Sequence, residues 1–94
     1  MQSHEKWKYP TWEGLQIIPT DHAIDRAFDL GLDIYDIAVI LEGGYDCEKG
    51  RRKPSIRERW SKWRGQTIRI IVSREPSGWV DGADAWIVLS VKPM

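Results

Sequence analysis

The chain has 94 residues, 41% hydrophobic and 30% charged, which suffices for one modest core and leaves no room for a second domain. No uninterrupted apolar stretch is longer than Ile37 to Leu41, which is far too short to span a bilayer; Met1 to Tyr9 holds no apolar run of the secretory kind, so a cytoplasmic protein is expected. Fourteen basic and fourteen acidic side chains cancel, and the single cysteine, Cys47, excludes an intrachain disulfide and a thiolate metal cage.

Residues 1–13, with Trp7 and Trp12 among Lys6, Lys8 and Pro10, show no periodicity and read as an N-terminal arm whose aromatics can cover the core. The domain proper is expected over 14–94. Leu15 to Ile18 is a short apolar run closed by Pro19, which fits an edge strand. Thr20 or Asp21 then caps a first helix, with Ala23, Ile24, Ala27, Phe28 and Leu30 at helical spacing and Gly31 as its left-handed terminus. Asp33, with Asp36 in the acidic first turn, opens a second helix whose apolar face is Ile34, Ile37, Ala38, Ile40 and Leu41, and which Gly43-Gly44 breaks.

From Tyr45 to Pro54 the chain is polar and turn-rich and reads as a loop. Ile56 to Trp63 and Thr67 to Ser73 form a hairpin around Arg64-Gly65, the second strand alternating Ile68, Ile70 and Val72 against Thr67, Arg69 and Ile71. Glu75 to Asp84, with Pro76, Gly78 and Gly82, reads as a loop, and Ala85 to Val91 as a β-branched central strand ended by Pro93. The predicted fold class is therefore α+β: two short N-terminal helices packed on one face of a four-stranded antiparallel sheet.

The neutral total hides a strong segregation of charge. Residues 1–48 carry 3 basic and 10 acidic side chains, residues 49–74 carry 10 and 1, and residues 75–94 carry 1 and 3. A surface field follows this distribution and not its sum. Within 49–64, Lys49, Arg51, Arg52, Lys53, Arg57, Arg59, Lys62 and Arg64 are interleaved with Trp60 and Trp63. Cations can hold phosphates while an indole offers a plane for a base, and together with Arg69 these residues make a candidate RNA surface. Strand alternation sets Arg57, Arg59 and Trp63 on one side and Trp60, Lys62 and Arg64 on the other. The bland alternative is that the tryptophans cover core and the cations pair with the acidic helices of the same or another copy.

Near the start of the first helix, His22 and Arg26 lie four residues apart on one face. An imidazole and a guanidinium are groups that metal-free RNA cleavage uses, the first to move a proton and the second to hold a phosphate. The competing reading is a cap-bonded histidine and an arginine paired with a nearby carboxylate. The second helix carries Asp33, Asp36 and Glu42 and no cation, which excludes it as a DNA-reading helix. No metal site and no cofactor are expected, since His4, His22 and Cys47 are scattered and no phosphate loop or dinucleotide fingerprint is present.

The order His22-Ala23-x-x-Arg26, Asp29-Leu30-Gly31-Leu32, an acidic second helix, Gly65 before Arg69-Ile70-Ile71-Val72, and a terminal Ile87-Val88-Leu89-Ser90-Val91 resembles the family known as domain of unknown function 4258. That family is held to be similar in fold to the RelE-type toxins, which cleave messenger RNA and group with barnase-like ribonucleases. The resemblance covers residues 15 to 92, implies the same helix-on-sheet architecture, and implies that His22 and Arg26 are the recurrent polar positions. The expectation is an RNA-binding toxin-like domain, with metal-independent endoribonuclease activity as its enzymatic form. The alternative is a non-catalytic interaction domain that forms a homodimer, or that binds an acidic or antitoxin-like protein partner through its basic hairpin.

Overall fold

The computed structural model describes residues 9–47, 55–80 and 83–93. Its elements run β1 (Thr11–Trp12), β2 (Leu15–Pro19), α1 (Asp21–Asp29), α2 (Ile34–Gly43), β3 (Tyr45–Asp46), β4 (Ile56–Trp63), β5 (Gln66–Val80) and β6 (Ala83–Pro93). All six strands join one sheet in the order β1-β2-β6-β5-β4-β3.

The expected four-stranded antiparallel sheet is thereby corrected to a six-stranded mixed one. β2 runs parallel to β6, from Gln16 opposite Ala85 to Pro19 opposite Val88, and every other pairing is antiparallel. β1 and β3 are two residues long, too short for any periodicity to reveal them. The helices lie mid-chain and not at the N-terminus, because Thr11 to Pro19 has already built two strands. The stretch expected as a loop, Glu75 to Asp84, instead extends the β5–β6 hairpin to a Val80–Ala83 pairing, with a register irregularity between Glu75 and Val80. Pro76 and Gly78 read as breakers in sequence, yet such an irregularity accommodates both residue types.

Local chemistry explains the helices. The Thr20 side chain accepts from the Ala23 N–H at 3.1 Å and starts α1. Gly31, at φ 76°, ends it in a Schellman arrangement: the Gly31 N–H donates to the Phe28 carbonyl and the Leu32 N–H to the Ala27 carbonyl. Asp33 and Asp36 form a reciprocal capping box at the start of α2, with bonds of 2.8 and 3.0 Å. At its far end Gly44 is required by space, since a Cβ there would lie 2.6 Å from the Trp60 carbonyl oxygen and 2.9 Å from that of Ile40. α2 thus closes tightly on β4.

The core lies between the helices and one face of the sheet. Ile17, Ile68, Ile70, Val72, Trp86, Val88 and Val91 meet Ala23, Ala27, Leu32, Ile37, Ile40 and Leu41, with Trp12 buried beside them. α2 presents Ile37, Ile40 and Leu41 inward as its pattern indicated. α1 does not follow its pattern fully: Ala23 and Ala27 are buried, but Ile24 and Phe28 point away and are 48% and 80% exposed. Burying two alanines draws α1 in along a narrow stripe that leaves the larger residues outside.

Candidate nucleic-acid interface

Trp12 anchors the helix side of the basic hairpin. Its ring lies 5.1 Å from that of Trp86, whose Nε1–H donates to the Trp12 carbonyl at 3.1 Å. The Arg57 guanidinium sits 4.5 Å from the Trp12 ring centre and that of Arg59 5.1 Å from it, so two cations stack on one buried indole. Arg57 donates to both oxygens of Asp46, at 3.1 and 3.0 Å, and also to Glu13. Arg59 donates to Asp46 at 3.2 Å and to the carbonyls of Leu41 and Gly44, where it satisfies the C-terminal end of α2. Glu13 lies in the β1–β2 turn, four strands away from β4 in the sheet order, so this contact requires the sheet to curl.

The electrostatics agree with that geometry. Burial pushes the Asp46 carboxyl up, but the hydrogen bonds and charges of Arg57 and Arg59 outweigh it and hold the group below the ordinary 3.8. Burial likewise works against the Arg57 cation, and the bonds to Glu13 and Asp46 overcome it and raise its pKa. Arg57 and Arg59 are therefore occupied by the protein's own acceptors. Their partners are not the carboxylates of the helices, as the alternative reading expected, but Asp46 on β3, Glu13 in the β1–β2 turn and the carbonyls that end α2. Trp63, on the same face of β4, packs against the core.

Trp60 and Lys62 alternate onto the opposite face, away from the helices. Trp60 stands opposite Arg69 on β5, and Arg69 stands opposite Lys92 on β6, so an indole, a guanidinium and an ammonium form one cross-strand row. Lys62, opposite Thr67, begins the next row. Tyr45 on β3 pairs with Trp60, the rings 6.4 Å apart and tilted by 48°, which extends the aromatic surface to the sheet edge. Beneath the row Glu58 is 7% exposed, accepting from Trp60 Nε1–H at 2.8 Å and from Arg69 at 3.5 Å. The Arg69 Nε is buried and has no partner among the described residues.

His22 and Arg26 are exposed on α1, one turn apart. With Val91, Lys92 and Pro93 they line a depression of about 500 Å³. Lys92 is thus shared: it belongs to the Trp60–Arg69 row and to the His22–Arg26 depression. Arg26 forms no ion pair with Asp29 or with a carboxylate of α2. Among the described residues four cations, Arg26, Lys62, Arg64 and Lys92, have no carboxylate within 4 Å. Lys62, Arg64 and Lys92 belong to one end of the sheet, where the β4–β5 turn and the last residues of β6 lie side by side, and Arg26 on α1 lines the depression that Lys92 borders. Arg64 lies 5.6 Å above the Trp63 ring in that turn.

Lys49, Arg51, Arg52 and Lys53 lie outside the described residues. Sequence reasoning missed Lys92, Glu58 and Tyr45 as members of the surface. The alternation of the terminal strand, which places Lys92 beside Arg69, is the signal that was available for the first. Among the described residues no helix is long and apolar enough to cross a membrane, and no three His, Cys, Asp or Glu side chains gather as a metal-binding group. No protein-family model, no curated protein and no solved structure matches the chain. The resemblance to the toxin-like family rests on the sequence motif alone.

Proposed function

We propose that the chain binds single-stranded RNA along the band that runs from Trp60 and Lys62 through Arg69 and Lys92 to Arg26 and His22. The observation that carries this reading is that, among the described residues, Lys62, Arg64 and Lys92 at one sheet end and Arg26 beside Lys92 have no acidic partner, while Trp60 and Tyr45 on β4 and β3 supply aromatic planes. A single strand fits such a band better than a duplex: its bases are free to stack on indole and phenol while ammonium and guanidinium groups track the phosphates.

Binding should fall with salt. Four phosphate contacts give a slope of roughly −3 in log affinity against log salt for a single strand. The test is fluorescence anisotropy with a labelled oligouridine at several salt concentrations, for the natural chain and for Lys62→Ala combined with Lys92→Ala. Loss of affinity together with a shallower slope in the double variant supports the reading. An absence of RNA affinity at low salt removes it.

Cleavage is a separate step. In it His22 takes the proton of the ribose 2′-hydroxyl as that oxygen bonds to phosphorus, the P–O5′ bond breaks and the leaving 5′-oxygen takes up a proton from His22 or water, while Arg26 and Lys92 hold the phosphate, all three side chains lining one depression. Incubation with RNA in chelator measures it: His22→Ala should keep binding and lose cleavage. Equal cleavage by both proteins excludes His22 from the chemistry.

A further inference from the structure

The two helices turn an unusual surface outward. Phe28 is 80% exposed and Ile24 lies one turn before it on α1; Val39 is 57% exposed and Tyr35 lies one turn before it on α2. These are large apolar groups at positions where a solvated helix carries polar ones. Val39 also lines a mainly apolar depression of about 420 Å³ together with Thr11, Ala38, Glu42 and Gly43. The same two helices and their connection carry six carboxylates, Asp21, Asp25, Asp29, Asp33, Asp36 and Glu42, against the single cation Arg26. None of the six is in an ion pair among the described residues.

We infer that this helix layer docks a cationic amphipathic helix of a partner protein. Each helix offers an apolar pair at one-turn spacing on which a third helix can lay an apolar stripe, and the depression beside Val39 receives one of its anchor side chains. The carboxylates around those groups select lysine and arginine on the flanks of the incoming helix and reject glutamate and aspartate. A second copy presenting the same layer is not the occupant, since face-to-face pairing sets six carboxylates against six. The partner's charge is thus opposite to that of an acidic partner recruited by the basic hairpin. The two surfaces meet only on α1, where Arg26 and His22 lie off the Ile24–Phe28 stripe, and each has its own probe, so the two readings are tested separately.

A fourteen-residue peptide with leucine at i, i+3, i+4 and i+7 spacing and lysine elsewhere serves as the probe, with a leucine–glutamate peptide of the same pattern as its control. Binding to the whole chain is followed by amide chemical shifts and by titration of the affinity. The lysine peptide should bind, shift the amides around Phe28, Tyr35 and Val39, and lose about tenfold in affinity on Phe28→Ser with Val39→Ser. Both positions are exposed, and an unchanged thermal transition of the double variant shows that its fold is intact. The glutamate peptide should not bind. Equal binding of the two peptides, or shifts confined to the sheet, or no binding of the lysine peptide, overturns the proposal. A concentration-dependent dimer of the chain alone that Val39→Glu dissolves would also overturn it, because the layer would then belong to a second copy.

Discussion

The three cations of β4 have opposite fates on its two faces. On its helix side Arg57 and Arg59 stack on Trp12, share Asp46 and satisfy the end of α2. On the other side Lys62 has no carboxylate within 4 Å among the described residues, and Trp60 stands opposite Arg69, which in turn stands opposite Lys92. Arg59 and Lys62, three positions apart on one strand, thus have different surroundings, the first held by the protein's own acceptors and the second without an acidic partner among the described residues. Runs of positive charge are informative only after strand alternation has divided them, and the division is worth testing from both sides.

The largest effect should come from the anchor of the helix-side set. Trp12→Ala removes a buried indole together with the seat of two guanidinium groups, and about 3 to 5 kcal/mol of stability should go with it in urea denaturation. A loss below about 1 kcal/mol would mean that Trp12 does not hold Arg57 and Arg59 in place. Next in size is Trp60→Ala on the other side. It should weaken RNA binding by about 1 to 3 kcal/mol, the usual value of a base–aromatic stack. Because Trp60 also donates to the buried Glu58, its folded fraction must be checked by circular dichroism in the same samples.

Arg57→Lys is a finer probe of the helix side. A lysine keeps the charge but cannot hold both Asp46 oxygens and Glu13 at once, so about 1 kcal/mol of stability should be lost with RNA affinity unchanged. The smallest effect concerns acid. Asp46 has its folded pKa below 3.8, so its contribution is complete above the unfolded value and disappears as pH falls through the lowered folded one. The stability gap between the natural chain and Asp46→Asn should be constant near neutrality and close below about pH 4. Because Asp46 is half exposed, that gap is modest, and a gap that widened toward acid would contradict the pairing.

The helices, β4 and the middles of β5 and β6 were legible in the sequence because each carries a period or a cap: Thr20, Gly31 and Asp33 mark the ends that the structure shows, whereas the far ends of β5 and β6 read as a loop. The sheet was not. Nothing local announces that Leu15 to Pro19 pairs in parallel with Ala85 to Val88, since parallel pairing is a property of the whole topology. Two-residue strands such as Thr11–Trp12 are also invisible to a period of two. For the site, the alternation on β4 was readable, and so was the shared flank of His22 and Arg26. The capture of Arg57 by Glu13, 44 residues away, depends on the curl of the sheet and had no signal in either segment. Ile24 and Phe28 mislead for the opposite reason: hydrophobic spacing marks what can be buried, and the neighbouring alanines decide what is.

The division of β4 is tested most directly by measuring single-stranded RNA affinity for two variants side by side, Lys62→Ala with Lys92→Ala and Arg57→Lys, at the same low salt concentration. The first should lose about tenfold or more in affinity at unchanged stability, and the second should bind RNA like the natural chain while unfolding at lower urea. An Arg57→Lys protein that stays folded but loses RNA, beside a double-alanine variant that keeps it, would contradict the account.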